Sequence, residues 1–165
     1  RPAFIYGSRS GAWTGQIFDL AKRTPIPFVG GGRGHAHPIH VDDVCGLTML
    51  AGVHPAAKGQ TFNSAPDPAP TWRDWLLEYR QLTGQTARWL GIPNLIVAPI
   101  ARVASVFSSK ADIGAVLPQM LGFVQARTTY RMDKARALLG WQNRVSLREG
   151  VAESAAWLRE IGKLP

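Results

Sequence analysis

The chain has 165 residues, a formal net charge of +8 and 45% hydrophobic residues, a composition typical of one globular domain or a large part of one. A single cysteine, Cys45, excludes a disulfide framework and a cysteine-rich zinc module, and favours a reducing compartment. Basic residues are scattered, with no run longer than two, which favours a solvated basic surface over a nucleic-acid interface. The most apolar stretch, residues 92–107, is too short and too interrupted by prolines to cross a membrane. We therefore expect a cytoplasmic protein that binds neither nucleic acid nor membrane.

Short strands and helices alternate along the chain, beginning with an apolar run that ends at Gly7. Apolar runs between turn-forming residues predict strands at residues 3–6, 25–29, 37–41, 60–64 and 86–90. Apolar residues at helical spacing predict helices at residues 13–22, 42–51, 71–79, 95–107, 112–125, 133–139 and 146–161. This order predicts a mixed α/β fold with more helix than strand.

Several helix boundaries carry recognisable signals. Asp42 and Asp43 are predicted to cap the helix that follows them, and Thr71 is predicted to cap the next one. Ser146 begins a Ser-x-x-Glu capping box, and Gly140 marks the end of the helix before it.

The glycine-rich segment at residues 30–34 is predicted to be a turn, because a phosphate-binding loop needs a helix after it and a strand follows here. Next come His35, His37 and His40, followed by Asp42, a set that could hold zinc. Their spacing resembles the metal motif of metallo-β-lactamase-like hydrolases. On a strand, however, His35 and His37 share a face and His40 points to the other. Edge-strand histidines are the favoured interpretation, and a metal-dependent hydrolase is the alternative.

Five phrases follow one another across nearly the whole chain. They are Arg-Pro-x-x-Ile-Tyr-Gly at residues 1–7, His-Val-Asp-Asp-Val at 40–44, Gly-x-x-Phe-Asn at 59–63, Asp-x-x-Arg-x-x-Leu-Gly-Trp at 133–141, and Ser-Leu-x-Glu-Gly followed by a tryptophan at 146–157. Each is similar to a phrase of the extended short-chain dehydrogenase/reductases, the NAD-dependent epimerase/dehydratase family. The chain resembles the C-terminal half of that family.

The resemblance implies a Rossmann-type α/β protein. Residues 1–165 would form one unit, with the last Rossmann strand at about residues 1–8 and a substrate-binding lobe of helices and small sheets at about residues 9–165. The cofactor domain would precede Arg1, and it would carry the glycine-rich loop and the catalytic Tyr-x-x-x-Lys pair. We therefore assign no catalytic residue and no metal ligand here, and we expect the isolated chain to be inactive. Tyr130 and Lys134 have the catalytic spacing but are predicted not to share a helix face.

The same resemblance implies which residues face the ligands. The cofactor, NAD or NADP, would be contacted on its nicotinamide side by Pro2 and Ala3. The candidates for substrate binding are Phe4, Ile5, Arg33, His37 and His40.

Two departures from the family pattern bear on the substrate. Nucleotide-sugar members often carry Asn at the position of Phe4 and Arg at the position of Ala36, and both polar anchors are replaced here by apolar side chains. An apolar pocket cannot compensate a buried diphosphate. We therefore expect an oxidoreductase, epimerase or dehydratase whose small-molecule alcohol or carbonyl substrate is less charged than a nucleotide sugar. A non-catalytic basic binding module is a further alternative. The sequence leaves open the substrate, the choice between NAD and NADP, and the reaction direction. The oligomeric state also stays open, and a homodimer is one possibility.

Overall fold

The computed structural model describes residues 1–93, 95–97 and 121–165. The helices predicted at residues 95–107 and 112–125 lie mostly outside the described residues, and their described parts, 95–97 and 121–125, are helical. The strands are β1 (Phe4–Tyr6), β2 (Ile26–Val29), β3 (Pro38–His40) and β4 (Trp89–Ile92). The main helices are α1 (Ile17–Ala21), α2 (Val41–Val53), α3 (Trp72–Gln81), α4 (Asp133–Leu139) and α5 (Leu147–Glu160).

Short helical turns connect several of these elements. A π-helical turn at Gly11–Gln16 leads into α1, and 3-10 turns lie at Gly30–Gly32 and Pro55–Ala57. The glycine-rich segment is therefore a turn that leads toward β3, as predicted. None of the helices in the described part of the chain is long and apolar enough to cross a membrane.

The described strands form two small parallel sheets. β1 pairs with β3, with Phe4 opposite Pro38 and Tyr6 opposite His40, and β2 pairs with β4. The strand predicted at residues 60–64 is wrong, because among the described residues this segment runs beside only those that precede β1. Ser64 alone forms an isolated parallel bridge there, with Pro2.

Side chains of β1 alternate between two hydrophobic clusters, as strand geometry requires. Tyr6 belongs to the first cluster, where α1, α3 and α5 contribute Phe18, Trp75 and Leu158. Ile5 packs on the opposite side, against the second cluster that contains Ile39 and residues of α2 and α4. The β1–β3 sheet therefore separates two packed regions.

The predicted Asp42–Asp43 cap is wrong. α2 begins at Val41, and its N-cap is His40, whose Nδ1 accepts the backbone N–H of Asp42 at 3.4 Å. Because the helix starts earlier than predicted, Asp43 falls within its first turn. The buried Asp43 carboxylate instead accepts the backbone N–H groups of Arg144 at 2.8 Å and Val145 at 3.3 Å, which ties α2 to the loop before α5.

The other predicted boundary signals are confirmed. Thr71 and Ser146 form reciprocal capping boxes with Asp74 and Glu149. Gly140 ends α4 in the left-handed conformation, with φ of 62°. The last helix, however, was predicted to reach residue 161, whereas α5 ends at Glu160 and Ile161 just beyond it is 41% exposed.

Arg80 of α3 is a buried cation that holds the end of α1. Its guanidinium donates to the carbonyl oxygens of Ala21, Lys22 and Arg23 at 3.0, 2.8 and 3.3 Å. It also donates to the Thr24 hydroxyl at 2.6 Å and to the Thr86 carbonyl at 3.1 Å. These bonds fix the turn that leads from α1 into β2.

Candidate functional site

Phe4 lies at the start of β1, at the centre of an aromatic group. Its ring centroid is 4.2 Å from that of Trp13, 5.6 Å from Trp72, 5.3 Å from Phe123 and 6.4 Å from Trp75. Trp72 and Trp75 are buried, Phe4 and Trp13 are half-buried, and Phe123 is 42% exposed. We call Phe4 and these four rings the aromatic wall. It runs from the interior to the surface and contains no charged side chain.

Helix periodicity explains part of this arrangement. Trp72 and Trp75 lie three residues apart and therefore share one face of α3. The indole N–H groups of both have no hydrogen-bond partner in the described part of the chain. The aromatic wall can therefore offer a ligand only uncharged hydrogen-bond donors, the indole N–H groups.

The two candidates for substrate contact on β1 point in opposite directions. Phe4 faces the aromatic wall, whereas Ile5 packs against the second cluster on the other side of the sheet. Phe4 and Ile5 therefore contribute to different packed regions.

The two candidates for cofactor contact lie at the beginning of the chain. Pro2 is exposed, and the half-buried Ala3 donates its backbone N–H to the carbonyl oxygen of Ser64 at 2.9 Å. The turn at Gly30–Gly32 leads to a strand rather than to a helix, so it does not provide the helix N-terminus that cradles a pyrophosphate.

Arg33 and His37 belong to the segment that joins the turn at Gly30–Gly32 to β3. Arg33 is exposed at the end of the glycine-rich turn. His37 is buried, its ring packs edge-on against Tyr130 at 4.6 Å between centroids, and its Nδ1 has no hydrogen-bond partner within the described residues. Burial, and next the charge of His35, lower the pKa of His37, which favours the neutral imidazole.

His40 is a structural link rather than an open ligand position. Its ring is 3% exposed and packs edge-on against Tyr6. Its Nδ1 caps α2, and its Nε2 lies 3.5 Å from a carboxylate oxygen of Glu153 in α5. His40 therefore connects β3, α2 and α5.

The structure does not bring together the histidines of the alternative metal site. The ring centroids of His35 and His37 are 6.4 Å apart, and His40 points to the opposite face of the sheet, as the strand geometry predicts. Within the described ranges, the group with metal-like spacing is instead His40, Asp42 and Glu153. His40 Nδ1 already accepts the backbone N–H of Asp42. We therefore interpret His40 as the N-cap of α2 rather than as a metal ligand.

The chance Tyr-x-x-x-Lys spacing forms no catalytic pair. Tyr130 lies in the loop before α4 and is 44% exposed. The ammonium of Lys134 lies over the ring of Phe62, at 5.3 Å from its centroid.

Comparison with known proteins defines the class of fold. No protein-family model matches the sequence. An uncharacterized protein named y4nL, from Sinorhizobium fredii, is 24% identical over 173 residues, which cover 99% of this chain and 47% of that protein.

Solved structures resemble the whole chain. The protein gox2253 superposes with a TM-score of 0.76 at 20% identity, covering 100% of this chain and 49% of its own. The epimerase Mth375 from Methanothermobacter thermautotrophicus gives 0.68 at 21% identity, with 99% and 43% coverage. The UDP-glucuronic acid 4-epimerase from Bacillus cereus, in complex with NAD, gives 0.67 at 16% identity, with 98% and 44% coverage.

This chain therefore has the fold of the C-terminal half of an NAD-dependent epimerase of the extended short-chain dehydrogenase/reductase type. The α/β fold class and the resemblance drawn from the sequence are confirmed. The chain spans about half the length of the relatives that it matches.

Sequence reasoning missed the aromatic wall as a unit. The helical spacing of Trp72 and Trp75, which places them on one face of a predicted helix, was a usable signal. Nothing in the sequence places Phe123, more than 100 residues away, against Phe4.

Proposed function

We propose that this chain is the substrate-binding half of an NAD(P)-dependent oxidoreductase, epimerase or dehydratase that acts on a small-molecule alcohol or carbonyl. The observation that carries the proposal is the aromatic wall around Phe4, on the fold of the C-terminal half of an NAD-dependent epimerase. Residues 1–8, which include β1, would supply the last strand of the Rossmann sheet. Residues 9–165 would form the lobe that covers the substrate.

The substrate is proposed to be less charged than a nucleotide sugar. One solved relative is named for UDP-glucuronic acid, so the polar anchors of such enzymes are the relevant contrast. Ala36, at the position where an arginine would be expected, is fully buried in the first cluster, and Phe4 is surrounded by aromatic rings. A diphosphate beside these positions would lose its hydration without gaining a cation. An apolar alcohol or carbonyl carries no such cost.

NAD or NADP, when bound, would supply the hydride acceptor or donor. By the family resemblance, the exposed Pro2 and the half-buried Ala3 would lie beside its nicotinamide ring. The phosphates would be held by the half of the protein that precedes this chain, and the isolated 165 residues would be inactive.

The remaining candidates take different roles in this proposal. Arg33 would lie at the rim of the substrate cleft. His37 would act as a neutral polar group next to Tyr130, and Ile5 would support β1 from behind. His40 is a positioning residue, since its contacts join β3 to α2 and α5.

A substrate panel tests the proposal with the full-length protein. Apolar alcohols such as cyclohexanol and benzyl alcohol are offered with NAD⁺ or NADP⁺, in parallel with UDP-glucose and UDP-glucuronic acid. The nicotinamide absorbance reports net oxidation, and chromatography of the products reports epimerisation or dehydration, which return the hydride and leave no net reduced cofactor. We expect reduction of the cofactor with apolar alcohols. Phe4→Asn should lower that turnover at least tenfold, whereas the matched Phe4→Leu variant should retain most of it. Turnover of nucleotide sugars alone would overturn the proposal.

A further inference from the structure

We propose that Gly34 is a positioning residue that holds Phe123 against Phe4 and thereby limits the size of the ring that the substrate cleft accepts. The inference rests on the proposed function, because it takes the aromatic wall as one side of that cleft. Phe4 belongs to β1, whereas Phe123 lies in the helical segment at residues 121–125. The distance between these two rings therefore depends on what holds that segment in place.

Gly34 lies against the segment that follows Phe123 and leaves no room there for a side chain. A β-carbon at position 34 would overlap the carbonyl oxygen of Val124 and would lie 2.9 Å from Cα of Gln125. Carbon atoms pack best at about 3.5–4.0 Å, so any side chain at position 34 requires the two segments to separate. Gly34 is not among the glycines with a positive φ, and its backbone conformation is therefore open to other residues. Close approach of the two segments, and not backbone conformation, requires glycine at this position.

Backbone hydrogen bonds on two sides hold Gly34 in this position. The neighbouring His35 donates its backbone N–H to the carbonyl oxygen of Ala126 at 2.8 Å. On the other side, Trp72 donates its backbone N–H to the carbonyl oxygen of Gly34 at 3.0 Å. Gly34 therefore lies between the start of α3 and the segment that contains Phe123, and it sets the distance between them.

This spacing places Phe123 at the outer margin of the aromatic wall. Its ring lies edge-on to Phe4 and Trp72, with centroid distances of 5.3 and 6.2 Å and interplanar angles of 82° and 72°. Phe123 is 42% exposed, whereas Trp72 is buried. A substrate ring bound against Phe4 would therefore meet Phe123 at the margin. Relief of the contacts at position 34 would move residues 124–126 outward by on the order of 0.5–1 Å, and Phe123 would move with them, so a larger ring would fit.

Calorimetric titration of the full-length protein, saturated with NAD⁺ or NADP⁺, tests the size limit. Benzyl alcohol is the one-ring ligand and 2-naphthylmethanol is the two-ring ligand, and we expect the wild type to bind benzyl alcohol about tenfold more tightly. In Gly34→Ala and in Phe123→Ala, the ratio of the two dissociation constants should shift about tenfold towards 2-naphthylmethanol. Gly52→Ala is the matched control, because a β-carbon at this glycine of α2 would meet nothing within 4 Å, and it should leave the ratio unchanged. A general loss of stability would weaken both ligands alike and would not move the ratio.

Unfolding in urea tests the positioning of Phe123 without any ligand. Phe123→Ala should lower the unfolding midpoint of the wild type and lower that of Gly34→Ala much less, because in that variant the ring has already moved away from Phe4. Shifts that simply add would overturn the inference.

A ratio of dissociation constants that is unchanged in Phe123→Ala would also overturn the inference, and this result decides the case if Gly34→Ala does not fold. Binding of neither alcohol by the wild type would overturn the proposed function and the size limit together. Coupled unfolding midpoints would even then support the placement of Phe123 by Gly34, so the two failures can be told apart.

Discussion

Gly150 in α5 lies directly against the ring of Tyr6 in β1. A β-carbon at position 150 would come within 2.4 Å of the Tyr6 hydroxyl oxygen and 2.8 Å of His40 Cδ2. Both rings are buried, so neither can move aside freely. This contact sets the distance between the last helix and the β1–β3 sheet.

Gly150→Ala is therefore expected to destabilise the protein, although alanine is the better helix former. Overpacking a buried contact costs about 1–3 kcal/mol, and we expect a loss in this range or above it in the free energy of unfolding, measured with urea. Gly46→Ala in α2 is the control, and it should gain about 1 kcal/mol because it meets only ordinary contacts. Equal stability of Gly150→Ala and the wild type would contradict this packing.

Arg80 should be intolerant of replacement by lysine. The guanidinium reaches three carbonyl oxygens of the α1 turn, as well as Thr24 and Thr86, and an ammonium has too few donors for all of them. We expect Arg80→Lys to lower the free energy of unfolding by on the order of 3 kcal/mol, because buried carbonyls lose their partners. Arg148→Lys, at an exposed position, should change it by less than about 0.5 kcal/mol. Similar denaturation midpoints for the two variants would show that the hydrogen bonds of Arg80 do not stabilise the fold.

The two capping boxes give a smaller, local prediction. Thr71→Ala and Ser146→Ala each remove the side-chain acceptor of a helix N-terminus, and each should cost about 1 kcal/mol. Thr48→Ala is a matched control, because that hydroxyl bonds only to the carbonyl oxygen of Val44 within α2. Thermal unfolding of the three variants checks the order, and a loss in Thr48→Ala as large as in the other two would count against the caps.

His37 should make stability depend on pH. Burial, and next the charge of His35, lower the pKa of His37 in the folded state below the ordinary 6.5. Below about pH 6.5, His37 is therefore protonated in the unfolded chain to a greater extent than in the folded chain. The free energy of unfolding should therefore fall as the pH is lowered from about 7.5 to 5.

In His37→Gln this slope should be smaller, because the titrating group is gone. His35→Gln removes only one of the two causes and should reduce the slope less. Urea denaturation at a series of pH values measures all three proteins. Parallel curves for the wild type and His37→Gln would show that His37 does not carry the effect.

Signals between neighbouring residues predicted the structure well. Capping boxes, the glycine stop and the alternation of strand faces depend on residues one to four positions apart, so Thr71, Ser146 and Gly140 could be assigned from the sequence alone. The class of fold was also accessible, because its phrases recur in order along the chain.

Contacts between distant segments could not be predicted in the same way. Asp43 looks like a helix cap in the sequence, but its real partners are backbone groups about 100 residues further on. The resemblance put both Phe4 and Ile5 beside the substrate, although neighbouring residues of a strand point to opposite faces, and which face holds the aromatic wall depends on packing of α3 and Phe123.

The most direct test of the proposed substrate class is the affinity of the full-length protein for a nucleotide sugar. UDP-glucuronic acid is titrated into the protein saturated with NAD⁺ or NADP⁺, next to benzyl alcohol as the apolar ligand, and the heat of binding is measured. The aromatic wall predicts saturable binding of benzyl alcohol and none of UDP-glucuronic acid. Micromolar affinity for UDP-glucuronic acid would contradict it.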